Sequence, residues 1–186
     1  RHLMPIMPMI IILAVGELKK SSQNSFYSKQ LKMSHLIFIF LWHGIIAITS
    51  YPYYLSYFNE SVGINNGWRY VNDSNYDWGQ DLKRLDTLVE QQNIEKIAVH
   101  YFGAGSPEYY MGEKAIPWSS KMGNPLDNGI EWLAISVNDV QNSTAPTAPG
   151  FYRNPEDEYR WLQNPTQPDL VAGKSIFLYN LPLRAQ

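Results

Sequence analysis

The stretch LIFIFLWHGIIAITSYPYYLSYFN, residues 36–59, has no Lys, Arg, Asp or Glu in 24 positions. Its apolar residues lie on every side of a helical projection instead of forming one stripe. Such a helix belongs either in the middle of a core or in a bilayer. About 20 residues at 1.5 Å rise cross a hydrocarbon layer of about 30 Å, so this stretch is long enough. Pro52 is expected to end or kink the helix. Tyr51, Tyr53, Tyr54, Tyr57 and Phe58 cluster where the chain would leave the lipid, at the depth where amphipathic rings collect. His43, in the middle of the run, is an ionisable group at membrane depth and is expected to face protein or a cavity.

Toward the N-terminus, residues 3–16 (LMPIMPMIIILAVG) form a second uncharged run, expected to be another membrane helix. Between the two lies ELKKSSQNSFYSKQLKMSH, residues 17–35, with four lysines and one acid, which reads as a cytoplasmic loop. Residues 1–35 hold five Lys and Arg against one acid, and the rest hold ten against sixteen, so a chain of net charge −2 divides into a +4 part and a −6 part. That balance excludes a broadly basic nucleic-acid binder. With no cysteine among 186 residues there is no disulfide scaffold, thiolate metal site or cysteine nucleophile. Because Arg1 opens inside an apolar run, the sequence reads as part of a longer protein or as a processed product. The expected organisation is two transmembrane helices in residues 1–58, with the basic loop inside. They are followed by an extracytoplasmic α/β domain over 59–186, on the outer side of the cytoplasmic (inner) membrane in a multi-pass protein.

In that domain WRYVN (68–72), IAVHYF (97–102), EWLAISV (131–137) and KSIFLYNL (174–181) read as strands. Leu82, Leu85, Leu88 and Val89 have helical spacing, and Pro155 at a first helical position predicts a helix to Leu162. Residues 141–155 read as loop. Strands alternating with helices predict a small α/β domain with a mainly parallel sheet.

The densest polar constellation is DSNYDWGQD, residues 73–81. Its opening resembles a calcium loop, but Trp78 stands at the position that needs Gly and Arg84 at the one that needs Glu. Two readings stay open. In one, Asp73, Ser74, Asn75 or Asp77 caps the following helix. In the other, Asp73, Asn75, Asp77, Trp78, Gln80 and Asp81 bind a sugar or headgroup, with Trp78 as platform. Paired carboxylates for glycoside hydrolysis are conceivable among Asp73, Asp77, Asp81 and Glu108, but their separation is not legible in sequence. His2, His35, His43 and His100 lack zinc-ligand spacing, so no metal site is assigned. GAGSP at 103–107 lacks the pattern of a dinucleotide loop. Arg1 and His2, at the outer start of the first helix, are placed to contact a lipid-linked phosphate or simply to anchor in the headgroups.

RHLMP before one membrane helix, YPYYLSYFNE after the next, then NDSNYDWGQDLKRL, HYFGAGSPEYY, WLAIS and SIFLYNL form one ordered series. The series resembles the C-terminal part of bacterial membrane glycosyltransferases of the family 39, protein O-mannosyltransferase-like group with the GT-C architecture. The resemblance spans Arg1 to about Leu181, and DSNYDWGQDLKRL is its most specific part. It implies an enzyme that transfers a sugar from a polyprenyl-phosphate donor to an acceptor outside the cytoplasmic membrane. It also implies a catalytic acid near the N-terminus of the full protein, so no catalytic residue is carried over to this sequence. The family commonly has Tyr where this chain has His2. No cofactor is identified, and a divalent metal requirement stays open. The competing expectations are a membrane-anchored extracytoplasmic binding module without catalysis and a soluble α/β hydrolase with two buried apolar helices.

Overall fold

A computed structural model describes residues 6–24, 29–71 and 76–184. The chain divides into two compact units, one up to Thr49 and one from Ser50 onward. The first unit contains α1 (Met7–Asn24) and α2 (Lys29–Ser50). Within α2, the 18 residues Met33–Ser50 have a mean hydropathy of 1.6, and only 6% of them are buried. Polar groups along it bond within the helix: His43 Nδ1 lies 2.8 Å from the Ile39 carbonyl, and Thr49 Oγ1 donates to the Ile45 carbonyl at 2.9 Å. The Thr49 hydroxyl proton and one of the two His43 ring nitrogens are thus satisfied by the helix's own carbonyls.

Two expectations need correction here. Among the described residues, one helix, not two, is long and apolar enough to cross a membrane. The apolar part of α1 stops at Gly16, and the helix then continues through Glu17, Lys19 and Lys20. The described apolar portion is about 15 Å long, half of a hydrocarbon core. The basic stretch 17–35 is also not mainly loop. Residues 17–24 extend α1 and 29–35 open α2, because Glu, Leu, Lys and Gln are strong helix formers.

The second unit is built on five strands in the order β2-β1-β3-β5-β4. They are β1 (Ile97–His100), β2 (Ala115–Pro117), β3 (Trp132–Ser136), β4 (Leu170–Ala172) and β5 (Ile176–Asn180). Strand β1 pairs in parallel with β2 and β3, Ile97 lying opposite both Ala115 and Trp132. The remaining two pairings, β3 with β5 and β5 with β4, are antiparallel, with Leu133 opposite Tyr179 and Val171 opposite Phe177. The sheet is therefore mixed, which corrects the expected mainly parallel one. The cause is a tight hairpin: Gly173, at φ 63°, turns β4 back into β5 within three residues. A parallel connection would need a long crossover.

Alternation along each strand divides the core between two faces. Ala98, Leu133, Ile135, Phe177 and Tyr179 pack on one face with Trp68, Val137, Val140 and Tyr159. Ile97, Val99, Ala134, Ile176 and Leu178 pack on the other with Leu82, Leu85 and Val89 of α3 (Leu82–Gln91). Three short helices complete the unit: α4 (Pro107–Met111), α5 (Val137–Thr144) and α6 (Leu181–Arg184). The strand expected over 68–72 is instead a 3-10 turn, Gly67–Arg69, among its described residues. It buries Trp68 edge-on against Phe177, with ring centroids 5.1 Å apart. Of the helix expected from Pro155 only a 3-10 turn to Asp157 forms, and α5 takes the first four residues of the stretch read as loop.

Candidate functional site

Of the six residues proposed for a polar pocket, Asp73 and Asn75 lie outside the described residues, as do Arg1 and His2. Asp77 and Asp81 are fully buried. Asp77 Oδ1 accepts from the Gly79 N–H at 2.8 Å, and its Oδ2 accepts from the Ser136 hydroxyl at the end of β3. Asp81 Oδ2 accepts from Lys174 N at 2.7 Å and from both Ser175 N and Ser175 Oγ at 3.0 Å, while Oδ1 accepts from Arg84 Nη1 at 2.7 Å. A Cβ on Gly173 would fall 2.0 Å from the Asp81 carboxyl carbon, so the hairpin can approach only as glycine. Gln80 Oε1 accepts from Trp78 N at 2.7 Å, and its Nε2 donates to the Tyr76 carbonyl at 3.2 Å. Trp78 is 55% exposed. The two carboxylates thus turn inward and clamp the start of α3 to β3 and to the β4–β5 hairpin. Trp78 alone of the described four faces out.

Burial pushes Asp77 above the usual carboxylate range, and the nearby Asp81 charge adds to it. The hydrogen bonds from Ser136 and Gly79 offset part of that rise. Asp139, on α5, is also raised, first by burial, with His100 opposing and the Asp77 charge reinforcing the rise.

A second constellation lies at the carboxyl ends of the parallel strands. The connection from β1 to β2 runs to one side of β1, and β3 lies on its other side, so β1 marks a point where the strand order reverses. Open α/β sheets bind ligands in the crevice outside the strand ends at such a point. His100 ends β1, with Nδ1 2.5 Å from the Tyr159 hydroxyl and Nε2 3.8 Å from Asp139 Oδ1. Beside it opens a cavity of about 420 Å³ lined by Val99, His100, Tyr101, Gly105, Ser106, Pro107, Glu108, Pro117 and Trp118. Sequence reading tested His100 only for zinc spacing and missed Tyr101, Trp118, Asp139 and Tyr159. A signal existed: a β-strand ending in His-Tyr, followed by a Gly-rich turn and a short helix, is where an α/β unit places its ligands.

Among the described residues no group of three or more His, Asp or Glu side chains is arranged to hold a metal ion. No family model, curated protein or solved structure matches this chain.

Proposed function

We propose that this chain is the C-terminal segment of an integral-membrane glycosyltransferase. The enzyme moves a sugar from a polyprenyl-phosphate donor to an acceptor on the outer face of the cytoplasmic membrane. The observation that carries the reading is α2, whose apolar side chains point outward along its length, with Phe40 76% and Ile48 77% exposed. A helix with that surface needs an apolar phase around it. The ordered resemblance from RHLMP to SIFLYNL supplies the enzyme class. The catalytic carboxylate belongs to another part of the protein, and the α/β unit stands outside the membrane. A folded unit there would help to exclude water, which competes with the acceptor and turns transfer into hydrolysis.

A membrane-anchored binding module without catalysis is the second reading. It is compatible with the α/β unit itself, whose Asp77 and Asp81 carboxylates are occupied by hydrogen bonds from the chain and so are not offered for chemistry.

Membranes carrying the full-length protein, supplied with radiolabelled sugar on polyprenyl phosphate, should label an outer-face acceptor. An alkaline phosphatase reporter fused behind Gln186 should be active. An active reporter without transfer supports the module. A reporter active only as a cytosolic fusion overturns both readings.

A further inference from the structure

The cavity at the end of β1 is not used by the two buried aspartates, and its walls are fixed in place. The Tyr101 hydroxyl donates to the Gly79 carbonyl at 3.1 Å, and Trp118 Nε1 donates to the Gly123 carbonyl at 3.0 Å. With their polar edges engaged elsewhere, both rings present carbon surface to the cavity, and Pro107 and Pro117 add more. Gly79 and Gly103 keep Tyr101 in this position, since a Cβ on either would come within 2.6 Å of its hydroxyl. Of the polar side chains on the lining, His100 has its ring nitrogens against Tyr159 and Asp139, which leaves Glu108 and Ser106. Glu108 is exposed and offers a carboxylate, which accepts from two donors at once. The Ser106 oxygen accepts from Tyr109 N at 3.3 Å, which leaves its O–H to donate.

We propose that this cavity is a saccharide-binding site. Sugar rings combine apolar C–H faces with a rim of hydroxyls, and the cavity matches that combination: fixed ring carbon on the walls, a carboxylate acceptor and a hydroxyl donor at the lip. Its volume lies within the about 300–1,000 Å³ of small-molecule sites. Walls that are already immobile lose little freedom when a ligand arrives. Glu108, the carboxylate on the lining, opposes anionic ligands and favours a neutral or amino sugar. As an acceptor subsite the cavity rests on the transferase reading; as a saccharide site it does not.

The test uses the full-length protein in detergent with four probes: the methyl glycosides of glucose, mannose, galactose and N-acetylglucosamine. Saturation-transfer NMR should show contact to the ring protons of at least one of them. Glu108→Gln should weaken that binding about tenfold, the loss of one charge-assisted hydrogen bond. Ser106→Ala should weaken it by a smaller factor, with circular dichroism unchanged in both variants. Four silent glycosides, a Glu108→Gln protein that binds as well as the parent, or linear sorbitol binding as tightly as the best glycoside would each overturn the assignment. Binding that persists in a preparation with no transfer activity sinks only the transferase reading. Transfer that proceeds without glycoside binding sinks only this site.

Discussion

Helix α2 and the sheet of the α/β unit use the same kinds of apolar residue and place them in opposite ways. Ile37, Phe38, Phe40, Leu41 and Ile48 of α2 are exposed, whereas Leu85, Ile97, Leu133 and Ile135 of the α/β unit are fully buried. An apolar side chain left in water instead of a core forgoes about 1.5–3 kcal/mol, so five of them forgo roughly 10 kcal/mol, comparable to the whole stability of a domain. The α/β unit closes its own core on both sides of the sheet. Helix α2 does not, and it needs its surroundings to complete it.

Removing what locks the α/β unit should have the largest effect. Asp81→Ala leaves Lys174 N and Ser175 N without their acceptor and Arg84 without its carboxylate. It should cost about 2–4 kcal/mol of stability, chiefly from backbone N–H groups left buried without an acceptor, since Arg84 can turn to water. Thermal unfolding of the full-length protein should show the loss, while retention in membranes stays as in the parent. An unchanged unfolding midpoint would mean that the clamp is decorative. Next in size is the reverse experiment: Leu41→Arg places a charge in the middle of α2 at an insertion cost of about 3 kcal/mol. A phosphatase reporter fused behind Gln186 should then lose part of the activity that the parent fusion shows, with the α/β unit melting as before. If the variant's reporter is as active as the parent's, α2 does not cross the lipid.

The smallest effect is a pH slope. Asp77 has a folded-state pKa above its unfolded value, raised first by burial, so the folded protein holds this proton more tightly than the unfolded chain. Stability from this group is therefore greatest below the ordinary carboxylate value near 4 and falls as pH rises through the higher, folded value. Asp77→Asn keeps an acceptor for Gly79 N and should flatten that part of the profile. Denaturant unfolding at a series of pH values would read it, and a slope as steep as the parent's would assign the effect to Asp139 instead.

Much of this was legible in the chain. Strands β1, β3 and β5 and helix α3 follow from runs of β-branched residues and from the Leu82–Leu85–Val89 spacing. Strands β2 and β4 were not legible, since three residues carry no alternation to read and Pro117 argues against a strand. Without β4 there is no visible hairpin, and without the hairpin the sheet looks parallel. The sequence showed that Asp77 and Asp81 are polar and close together, but a carboxylate's direction depends on partners 59 and 94 positions away, at Ser136 and Ser175. The cavity was hidden for a related reason. Val99, Glu108 and Trp118 become neighbours only once β1 and β2 pair, and Asp139 and Tyr159 reach His100 only when the sheet is covered.

The clamp around Asp81 has a consequence for how the chain is made. Its Oδ2 is satisfied by a turn more than ninety positions downstream, and β5 must slot between two other strands. During synthesis the helix that follows Asp81 emerges long before its partner, so its apolar side must wait for the closing hairpin. This interval exposes the nascent chain to misassembly and to chaperone capture.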